Sequence, residues 1–394
     1  MTLAAETIQA PPDEAALAAL IAAAHTAREP LAIEGRGTKR GLLRPVQAAR
    51  TVSTRNLTGI TLYRPSELII SARAGTPVPE IEAALAEHGQ HLIAEPPDTR
   101  ALFNAAEPAT LGGIIAANLS GPRRIAWGAM RDHLLGIRFV NGAGEVLRSG
   151  GRVLKNVTGL DLCKLLAGSY GTLGVITEIT LKVLPAPEAT ATLLIEVPDI
   201  ATGVRALSAG LGSPFSVTGA ALLPGTPTVA ALRLEDFAAS VTYRGARLRE
   251  SLAAFGPATL LEGEPSRTFW REVRDAVPLA AQPDDAIWRI SVRPSAAPAV
   301  AQLAGTLGGR SLLDWGGGLV WVAAPATAET HAALVAAAAM TGGTCTLFRA
   351  PEALRLAVAV LPAEPAPLAA IARRVKEALD PAGILNPGRM HAGA

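Results

Sequence analysis

The sequence has 394 residues, of which 49% are hydrophobic, and a formal net charge of +2 from 36 basic and 34 acidic side chains. This length exceeds one ordinary hydrophobic core and predicts two domains. The nearly balanced charge, without a block of Lys or Arg, argues against nucleic-acid binding. Only two cysteines occur, Cys163 and Cys345, which excludes a disulfide framework and a cysteine-ligated iron–sulfur cluster within the chain.

Neither a secretory signal nor a transmembrane helix is predicted. The amino terminus has no basic segment ahead of an apolar run. The longest apolar runs, at residues 15–24 and 332–340, fall short of the roughly 20 residues that a spanning helix needs. These features predict a cytoplasmic protein in which the alanine-rich runs form ordinary helices.

The first half of the chain alternates short strands with short helices. A helix is predicted over residues 13–29, followed by strands at 31–34 and 67–74. The next helix is predicted over residues 78–88. Thr76 is a natural N-cap for that helix, and a proline directly after it suits the first turn.

A hairpin and a long strand close this first half. The hairpin is expected over residues 137–148, with its turn at 141–144. A strand rich in β-branched residues runs from 175 to 183 and ends at Pro185-Ala186-Pro187. Because prolines interrupt a strand, we place a domain boundary there, which gives an expected first domain over residues 1–187.

The second half repeats one order of elements twice. Each repeat runs strand, helix, strand, strand, helix, strand, which is the split β-α-β order of ferredoxin-like folds. The ranges are 192–196, 200–211, 216–223, 229–234, 237–255 and 259–262 for the first repeat, and 287–292, 296–307, 311–315, 319–323, 328–340 and 344–348 for the second. These repeats predict a second domain over residues 188–368, followed by a tail at 369–394 that begins as one helix.

Two glycine-rich segments in the first half are candidates for binding an anion. Residues 34–41 read EGRGTKRG, and residues 110–118 read TLGGIIAAN. Glycines permit positive φ and close approach, so backbone N–H groups of either segment could cradle a phosphate. Each segment alone is equally typical of a tight turn or of close helix packing. A nicotinamide-binding Rossmann fingerprint is excluded for residues 34–41, since the third glycine comes one residue late and no helix follows.

Two more glycine-containing segments follow. Residues 150–161 read GGRVLKNVTGLD, and residues 168–176 read GSYGTLGVI. The latter does not match G-x-S-x-G, and the chain contains no G-x-x-x-x-G-K-[ST]. The sequence therefore predicts neither a serine-hydrolase nucleophile elbow nor a nucleoside-triphosphate loop.

Taken together, the four segments resemble the FAD-binding domain of the vanillyl-alcohol oxidase and p-cresol methylhydroxylase (PCMH) family. More narrowly, they are similar to the E-subunit family of bacterial glycolate oxidases. The similar text includes EGRGTK, EPATLGGIIAANLSGPRR, LKNVTGLDLCKLLAGSYGTLGVITEITLKVLP and GILNPGRM. This resemblance covers residues 14–187 and the last ten or so. It implies an α+β fold with a PCMH-type FAD-binding domain and a duplicated ferredoxin-like (β-α-β-β-α-β) cap domain.

The resemblance also implies which residues bind FAD. Backbone groups of Gly35, Arg36, Gly37 and Thr38 would hold the pyrophosphate. The other expected contacts are Thr110, Leu111, Gly112, Gly113, Ser120 and Gly121 along the pyrophosphate and flavin edge, Gly171, Gly174, Val175 and Ile176 on the adenosine or ring side, and Asn386, which would bring the C-terminal tail back onto the flavin domain. We expect non-covalent FAD, because neither histidine nor cysteine occurs at residues 34–41 or 110–121.

Catalytic residues are left unassigned by this resemblance. Lys155 and Arg131 are candidates by family position for a cation that stabilises the reduced flavin, although a surface or phosphate-facing salt bridge fits them as well. Arg349 is a candidate substrate or partner contact, with a solvated helix face as the alternative. Catalytic relatives carry an H-G-D-G-N-x-H segment that helps bind metal, and this chain does not, so we expect no metal site. Leu160 also departs from the E-subunit pattern, which has tyrosine there.

Three functions follow from these expectations. The preferred one is an FAD-binding subunit of a glycolate oxidase (glycolate dehydrogenase) complex that acts on a small 2-hydroxy acid. Its partners would be a catalytic FAD subunit and an iron–sulfur subunit, and the complex could hold it at the inner face of the membrane. The alternatives are a self-sufficient FAD oxidoreductase for another hydroxy acid or alcohol, and a scaffold subunit whose FAD is vestigial.

Overall fold

A computed structural model of the protein describes residues 7–48, 50–151 and 160–393. The chain divides into two compact units. The first comprises Met1–Leu119, Ala129–Ala186 and Ala363–Ala394, and the second comprises Ser120–Gly128 and Pro187–Pro362. The short segment Ser120–Gly128, which the sequence places inside the first domain, therefore groups with the second unit.

The N-terminal part of the chain contains ten strands and six helices in the described residues. In chain order they are β1 (Thr7–Gln9), α1 (Glu14–Ala27), β2 (Leu31–Glu34), β3 (Arg50–Ser53), β4 (Ile60–Arg64), β5 (Ile69–Arg73), α2 (Val78–Ala86), β6 (Gln90–His91), α3 (Arg100–Phe103), α4 (Leu111–Ala117), α5 (Arg124–Trp127), β7 (Leu134–Val140), β8 (Val146–Gly150), α6 (Leu162–Leu166), β9 (Val175–Lys182) and β10 (Leu184–Pro185). All belong to the first unit except α5.

The strands of the first unit form two main sheets. β1, β3 and β2 make a parallel sheet in that order, and β4, β5, β9, β7 and β8 make an antiparallel sheet. A small antiparallel pair joins β10 to β6. The predicted hairpin is confirmed as β7 and β8, and the predicted strand over 175–183 is confirmed as β9.

Helix α1 joins both sheets through the core of the first unit. It begins after Asp13, whose Oδ1 accepts the N–H of Ala16 at 2.8 Å, and it ends at Arg28 in the left-handed conformation. Its apolar face packs with residues of β2, β3, β7, β9 and the C-terminal tail. The buried cluster contains Leu17, Ile21, Ala24, Leu31, Val52, Leu57, Val140, Val175, Ile384 and Leu385.

Two details of the first half differ from expectation. Residues 65–67, next to the predicted strand over 67–74, form a 3₁₀ turn, so β5 begins only at Ile69. Thr76 does not cap helix α2, and Pro77 occupies the N-cap position. The Thr76 hydroxyl instead accepts the N–H of Gly59 at 2.9 Å. A tertiary hydrogen bond has therefore replaced the local cap.

The second unit contains most of the remaining elements. They are β11 (Ala189–Val197), α7 (Ile200–Leu211), β12 (Gly219–Leu223), β13 (Thr228–Asp236), α8 (Ala238–Ser251), β14 (Ala258–Glu262), α9 (Glu264–Arg274), β15 (Asp285–Ser291), α10 (Ala297–Thr306), β16 (Arg310–Asp314), β17 (Leu319–Pro325), α11 (Ala328–Met340), β18 (Thr344–Arg349) and α12 (Glu352–Ala357). Helix α13 (Ala366–Leu379) then returns to the first unit.

Both predicted β-α-β-β-α-β repeats are confirmed. Their strands form one eight-stranded sheet in the order β14-β11-β13-β12-β16-β17-β15-β18. From the outer edge of the sheet inward, each repeat places its fourth strand first, followed by its first, third and second strands. The two repeats meet in the middle of the sheet, where Leu222 of β12 pairs with Leu313 of β16. All the pairings are antiparallel. The result is a duplicated ferredoxin-like fold.

Helix α9 lies outside the predicted repeats and contacts strands β11 and β14. Side chains of neighbouring strand residues point to opposite faces: Leu232 lies beside Gly210 of α7, whereas Arg233 stacks on Trp270 of α9, 4.6 Å from the ring centroid. The indole nitrogen of Trp270 donates to Thr192 at 2.8 Å. Trp270 is thus a buried core residue.

A buried ion pair anchors Ser120–Gly128 on the second unit. The guanidinium of Arg123 donates to both carboxylate oxygens of Glu235, at 3.0 and 2.6 Å. Thr218 donates to the same carboxylate at 2.8 Å, and Arg233 lies 3.4 Å away. Burial raises the pKa of Glu235, but the charges of Arg233 and Arg123 outweigh it and hold the pKa well below the usual range.

No helix in the described ranges is both long enough and apolar enough to cross a membrane.

We predict that Glu235→Gln lowers the stability of the second unit by about 3–5 kcal/mol, because it leaves two buried guanidinium groups without their counter-charge. Since the folded pKa is depressed, the contribution of Glu235 is complete above about pH 4.3 and declines as the pH falls below that value. Urea unfolding followed by tryptophan fluorescence measures this unit, because all five tryptophans lie within it.

Glu250→Gln is the matched control. Glu250 is 65% exposed and pairs with Arg247 on the surface of α8, so its loss should change stability by less than about 1 kcal/mol. Equal unfolding midpoints for the two variants would contradict the role given to Glu235.

Candidate functional site

The first glycine-rich segment is a tight loop that follows strand β2. Gly37 has φ +69°, which favours glycine. A side chain on Gly35 would collide with the hydroxyl of Thr110. Glu34 holds Arg40 through two hydrogen bonds of 2.8 Å, which closes the loop onto the end of the strand. The first two predicted glycine segments therefore lie against each other.

This loop has unused hydrogen-bond donors. Within the described ranges, the backbone N–H groups of Arg36, Gly37, Thr38 and Lys39 donate no hydrogen bond, and the buried Nε of Arg36 has no partner either. Buried donors are normally paired, and successive free N–H groups form an anion-binding concavity. The loop can therefore take a negatively charged group such as a phosphate.

The second segment behaves differently from the expectation that its N–H groups are free. Leu111 donates to Thr76 O at 2.9 Å and Gly112 donates to Ala74 O at 2.8 Å, while Gly113 donates to the Thr110 hydroxyl at 3.2 Å. A Cβ on Gly112 would lie 2.7 Å from the Cβ of Ala74. That expectation is wrong, because the adjacent backbone after β5 takes two of these donors and Thr110 caps the third.

The fourth segment is joined to the first by Asn386. Its side-chain amide donates to Tyr170 O at 2.8 Å and to Ile33 O at 3.3 Å, and its oxygen accepts the N–H of Ile33 at 2.7 Å. A Cβ on Gly171 would lie 2.8 Å from that amide nitrogen. Asn386 is 4% exposed, so its side chain is used in holding β2 against the loop at residue 170.

The neighbouring predicted residues lie deeper. A Cβ on Gly174 would lie 2.6 Å from the ring of Phe139, so glycine is needed there for packing. Val175 belongs to the hydrophobic core around α1, and Ile176 is also buried on β9. These three positions support the loops from behind and present little surface to a ligand.

The C-terminal tail fixes the far end of the first loop. Arg389 donates to Lys39 O at 3.1 Å and to Arg44 O at 3.0 Å. Further back, Lys376 donates to Asp380, to Leu385 O and to the carbonyl of the residue after Gly171, at 2.6 to 3.0 Å. The tail therefore tethers both glycine loops of the first unit.

Ser120 and Gly121 are not part of this group, because they belong to the second unit. There the indole nitrogen of Trp315 donates to Gly121 O at 3.1 Å. Arg124 also stacks on the Trp315 ring, 4.5 Å from its centroid. Within that unit, the two residues are part of the anchored segment Ser120–Gly128.

The three candidate catalytic residues differ in exposure and in hydrogen-bond partners. Lys155 lies outside the described residues. Arg131 is 52% exposed and lies 3.8 Å from Asp132. In the second unit, Arg349 donates to the carbonyls of Gln282, Pro283 and Asp285, and burial lowers its pKa. This geometry gives Arg349 a structural role at the start of β15.

Sequence reasoning missed Lys39 and Arg389. Lys39 directly follows the glycine loop, and its Nζ donates to the hydroxyl of Thr38 at 3.1 Å. Its position after Gly-Arg-Gly-Thr was the available signal. Arg389 gave no local signal, because its acceptors are 345 and 350 residues away in sequence. No cluster of three or more metal-ligating side chains occurs among the residues with described positions.

We predict that Asn386→Ala destabilises the first unit by about 2 kcal/mol or more. The change removes the side-chain partner of the partly buried N–H of Ile33 and carbonyl of Tyr170, and alanine is also disfavoured at the observed φ of +44°. Scanning calorimetry measures the effect. Asn56→Ala, which removes one exposed bond to Ala10 O, is the control, and an equal shift for both variants would contradict the prediction.

Comparison with known proteins supports a flavin site. A family model described as FAD binding domain matches residues 5–150, and one described as FAD linked oxidases, C-terminal domain matches residues 361–390. Among solved structures, 4-ethylphenol oxidase from Gulosibacter chungangensis has TM-score 0.74 at 14% identity, covering 98% of this chain and 89% of that one. Alkyldihydroxyacetonephosphate synthase has TM-score 0.72 at 18% identity, covering 96% and 75%. These likenesses show the fold.

Proteins with similar sequences identify the family more narrowly than the solved structures do. Glycolate oxidase subunit GlcE of Escherichia coli (strain K12) is 39% identical over 367 residues, covering 93% of each chain. Glycolate oxidase subunit GlcD of Bacillus subtilis (strain 168) is 34% identical over 152 residues, 36% of this chain and 30% of that protein. D-lactate dehydrogenase of Archaeoglobus fulgidus is 31% identical over 191 residues, 48% and 41%. The chain therefore belongs to the PCMH-type FAD-linked oxidase family that includes GlcE, and it is an FAD-dependent oxidoreductase with FAD as its cofactor.

Proposed function

We propose that this chain is the FAD-carrying E-type subunit of a glycolate oxidase complex, which oxidises glycolate to glyoxylate and passes the electrons on through partner subunits. The observation that carries the proposal is the similarity to glycolate oxidase subunit GlcE along 93% of both chains. A match of this length includes both units, whereas the match to D-lactate dehydrogenase covers 48% of this chain.

The residues of the first unit fit FAD. FAD carries a negatively charged diphosphate, and the N–H groups from Arg36 to Lys39 in the loop after β2 donate no hydrogen bond to any residue that the structure describes. A Cβ on Gly35 would collide with the hydroxyl of Thr110, so the loop lies in direct contact with the second glycine segment. We assign Gly35, Arg36, Gly37 and Thr38 to the diphosphate, Thr110 and Gly113 to the adjoining wall, and Asn386 to positioning the loops.

The remaining expected contacts are proposed in supporting roles: Leu111, Gly112, Gly171, Gly174, Val175 and Ile176 behind the loops, and Ser120 and Gly121 in the segment anchored on the second unit. Lys155 and Arg131 stay proposed as cations that tune the flavin.

The reaction divides between protein and cofactor. Oxidation of glycolate removes the hydroxyl proton and the hydrogen on the same carbon with its electron pair, and FAD bound in the complex would supply the acceptor for that hydride. The chain's own residues bind and orient the cofactor. Two cysteines in the whole sequence are too few for a four-cysteine cluster, which favours an iron–sulfur partner as the next electron carrier.

A GlcD-type flavoprotein is the proposed catalytic partner. The GlcD relative of Bacillus subtilis shares 152 aligned residues with this chain, so the two subunits would have similar flavin domains. The alternative of a self-sufficient oxidoreductase is favoured by one observation, the 31% identity to a D-lactate dehydrogenase over 191 residues.

The full chain, reconstituted with FAD and kept free of oxygen, tests the proposal when glycolate is added and the flavin absorbance is followed. We expect the flavin of this chain alone to stay oxidised, and to be bleached when the co-expressed GlcD-type and iron–sulfur subunits are present. Bleaching of the chain alone would favour the self-sufficient enzyme. Failure of the partners to co-purify would count against the complex.

The variant Gly113→Leu tests whether this subunit transfers electrons through its FAD or serves only as a scaffold. Its side chain would enter space occupied by Lys39 Nζ and the Thr110 hydroxyl, which lie 3.4 and 3.2 Å from the position of a Cβ. We expect loss of this subunit's FAD and of complex turnover. Turnover that survives would favour the scaffold function. Gly305→Leu is the control, since nothing lies within 4 Å of a Cβ at that site.

We also propose that FAD is held without a covalent bond. The cysteines Cys163 and Cys345 are buried, and burial raises their pKa to about 11 and about 12, which disfavours the reactive thiolate. Acid precipitation of the holoprotein is expected to leave all the flavin colour in the supernatant. A yellow pellet would show a covalent bond.

A further inference from the structure

Lys39 places an ammonium group beside the diphosphate loop. Its Nζ lies 3.1 Å from the hydroxyl of Thr38 and 3.4 Å from where a Cβ on Gly113 would be. Its carbonyl is fixed by the guanidinium of Arg389 and by the N–H of Leu42, at 3.1 and 3.0 Å. The backbone is therefore tethered on one side, and the ammonium lies between the two glycine segments.

No carboxylate in the described ranges forms an ion pair with this ammonium. The nearby acidic groups are engaged by arginines: Glu34 with Arg40, Glu107 with Arg36, and Asp98 with Arg100. Burial lowers the pKa of Lys39 to about 8, and the charge of Asp98 offsets this only in part. Lys39 is a half-buried cation whose hydrogen-bond partner among the described residues is one hydroxyl. An anion bound beside the ammonium would offset the cost of removing it from water.

We infer that the ammonium of Lys39 binds the diphosphate of FAD, and that FAD binding is therefore linked to the protonation of this side chain. The inference rests on FAD as the cofactor and does not depend on glycolate as the substrate. Lys39 would act together with the N–H groups of Arg36, Gly37 and Thr38, which have no acceptor among the described residues and supply hydrogen bonds without a full charge.

The direction of the pH effect follows from linkage. Only the protonated amine attracts the diphosphate, so binding raises the pKa of Lys39 above its value of about 8 in the free protein. FAD affinity is then full below that pH and falls by up to about tenfold for each further unit. The charged groups around Lys39 are the ion pairs Arg36–Glu107, Arg40–Glu34 and Arg100–Asp98. Arg389 is also close and donates to the backbone carbonyls of Lys39 and Arg44.

The test uses the full chain freed of flavin, with FAD affinity measured by quenching of flavin fluorescence between pH 7 and pH 9. The wild-type dissociation constant should rise about tenfold over this range. Lys39→Met should bind FAD about 10- to 100-fold more weakly at pH 7 and show no pH dependence. Lys39→Arg should restore most of the affinity without the pH dependence, since a guanidinium does not titrate here. Lys182→Met, elsewhere in the same unit, should behave as wild type.

Competition by ADP shows which part of FAD is involved. ADP carries a diphosphate without the flavin, so Lys39→Met should weaken ADP and FAD alike. A loss confined to FAD would overturn the inference. So would a wild-type affinity that does not change with pH, because a packing role for Lys39 predicts that result. Wild-type chain that binds no FAD would overturn the cofactor itself, whereas equal affinity of wild type and Lys39→Met would overturn only the role of Lys39.

Discussion

The first unit depends on one side-chain amide, that of Asn386. It pairs with both the N–H and the carbonyl of Ile33 on β2, and with the carbonyl of Tyr170. Since β2 leads directly into the diphosphate loop, and Tyr170 precedes Gly171, this amide sets the position of two glycine segments at once. The tail that carries it is held by Lys376 and Asp380. Cofactor-binding geometry is thus decided near the end of the chain.

Charge is arranged differently in the two units. In the second unit, Glu235 is paired with two guanidinium groups, so a buried anion is fully compensated. In the first unit, the arginines of the loop are each paired with a carboxylate, while the ammonium of Lys39 has only the hydroxyl of Thr38 in the described chain. A compensated network stabilises a fold, whereas an uncompensated cation beside free N–H groups suits an anionic ligand. This contrast separates structural arginines from a binding lysine.

Local patterns predicted much of the fold. The β-α-β-β-α-β repeats were readable because each strand and helix has its own periodicity, and helices α7 and α11 have the predicted bounds. Helix α9 was missed, since its two buried apolar residues, Trp270 and Val273, lie among charged residues. The prediction of a free N–H group at Gly112 was wrong, because that group donates to the carbonyl of Ala74. No local sequence pattern reveals this partner.

The sequence by itself determined the family, the cofactor class and the duplicated cap, because glycine spacing and hydrophobic periodicity are properties of short segments. Only the tertiary structure decided which glycine segment has N–H groups without an acceptor among the described residues. It also decided that burial lowers the pKa of Lys39 and that Asn386 connects two distant segments. These features depend on contacts such as that between Ile33 and Asn386, 353 residues apart. Burial and hydrogen-bond competition at that separation exist only once the chain has folded.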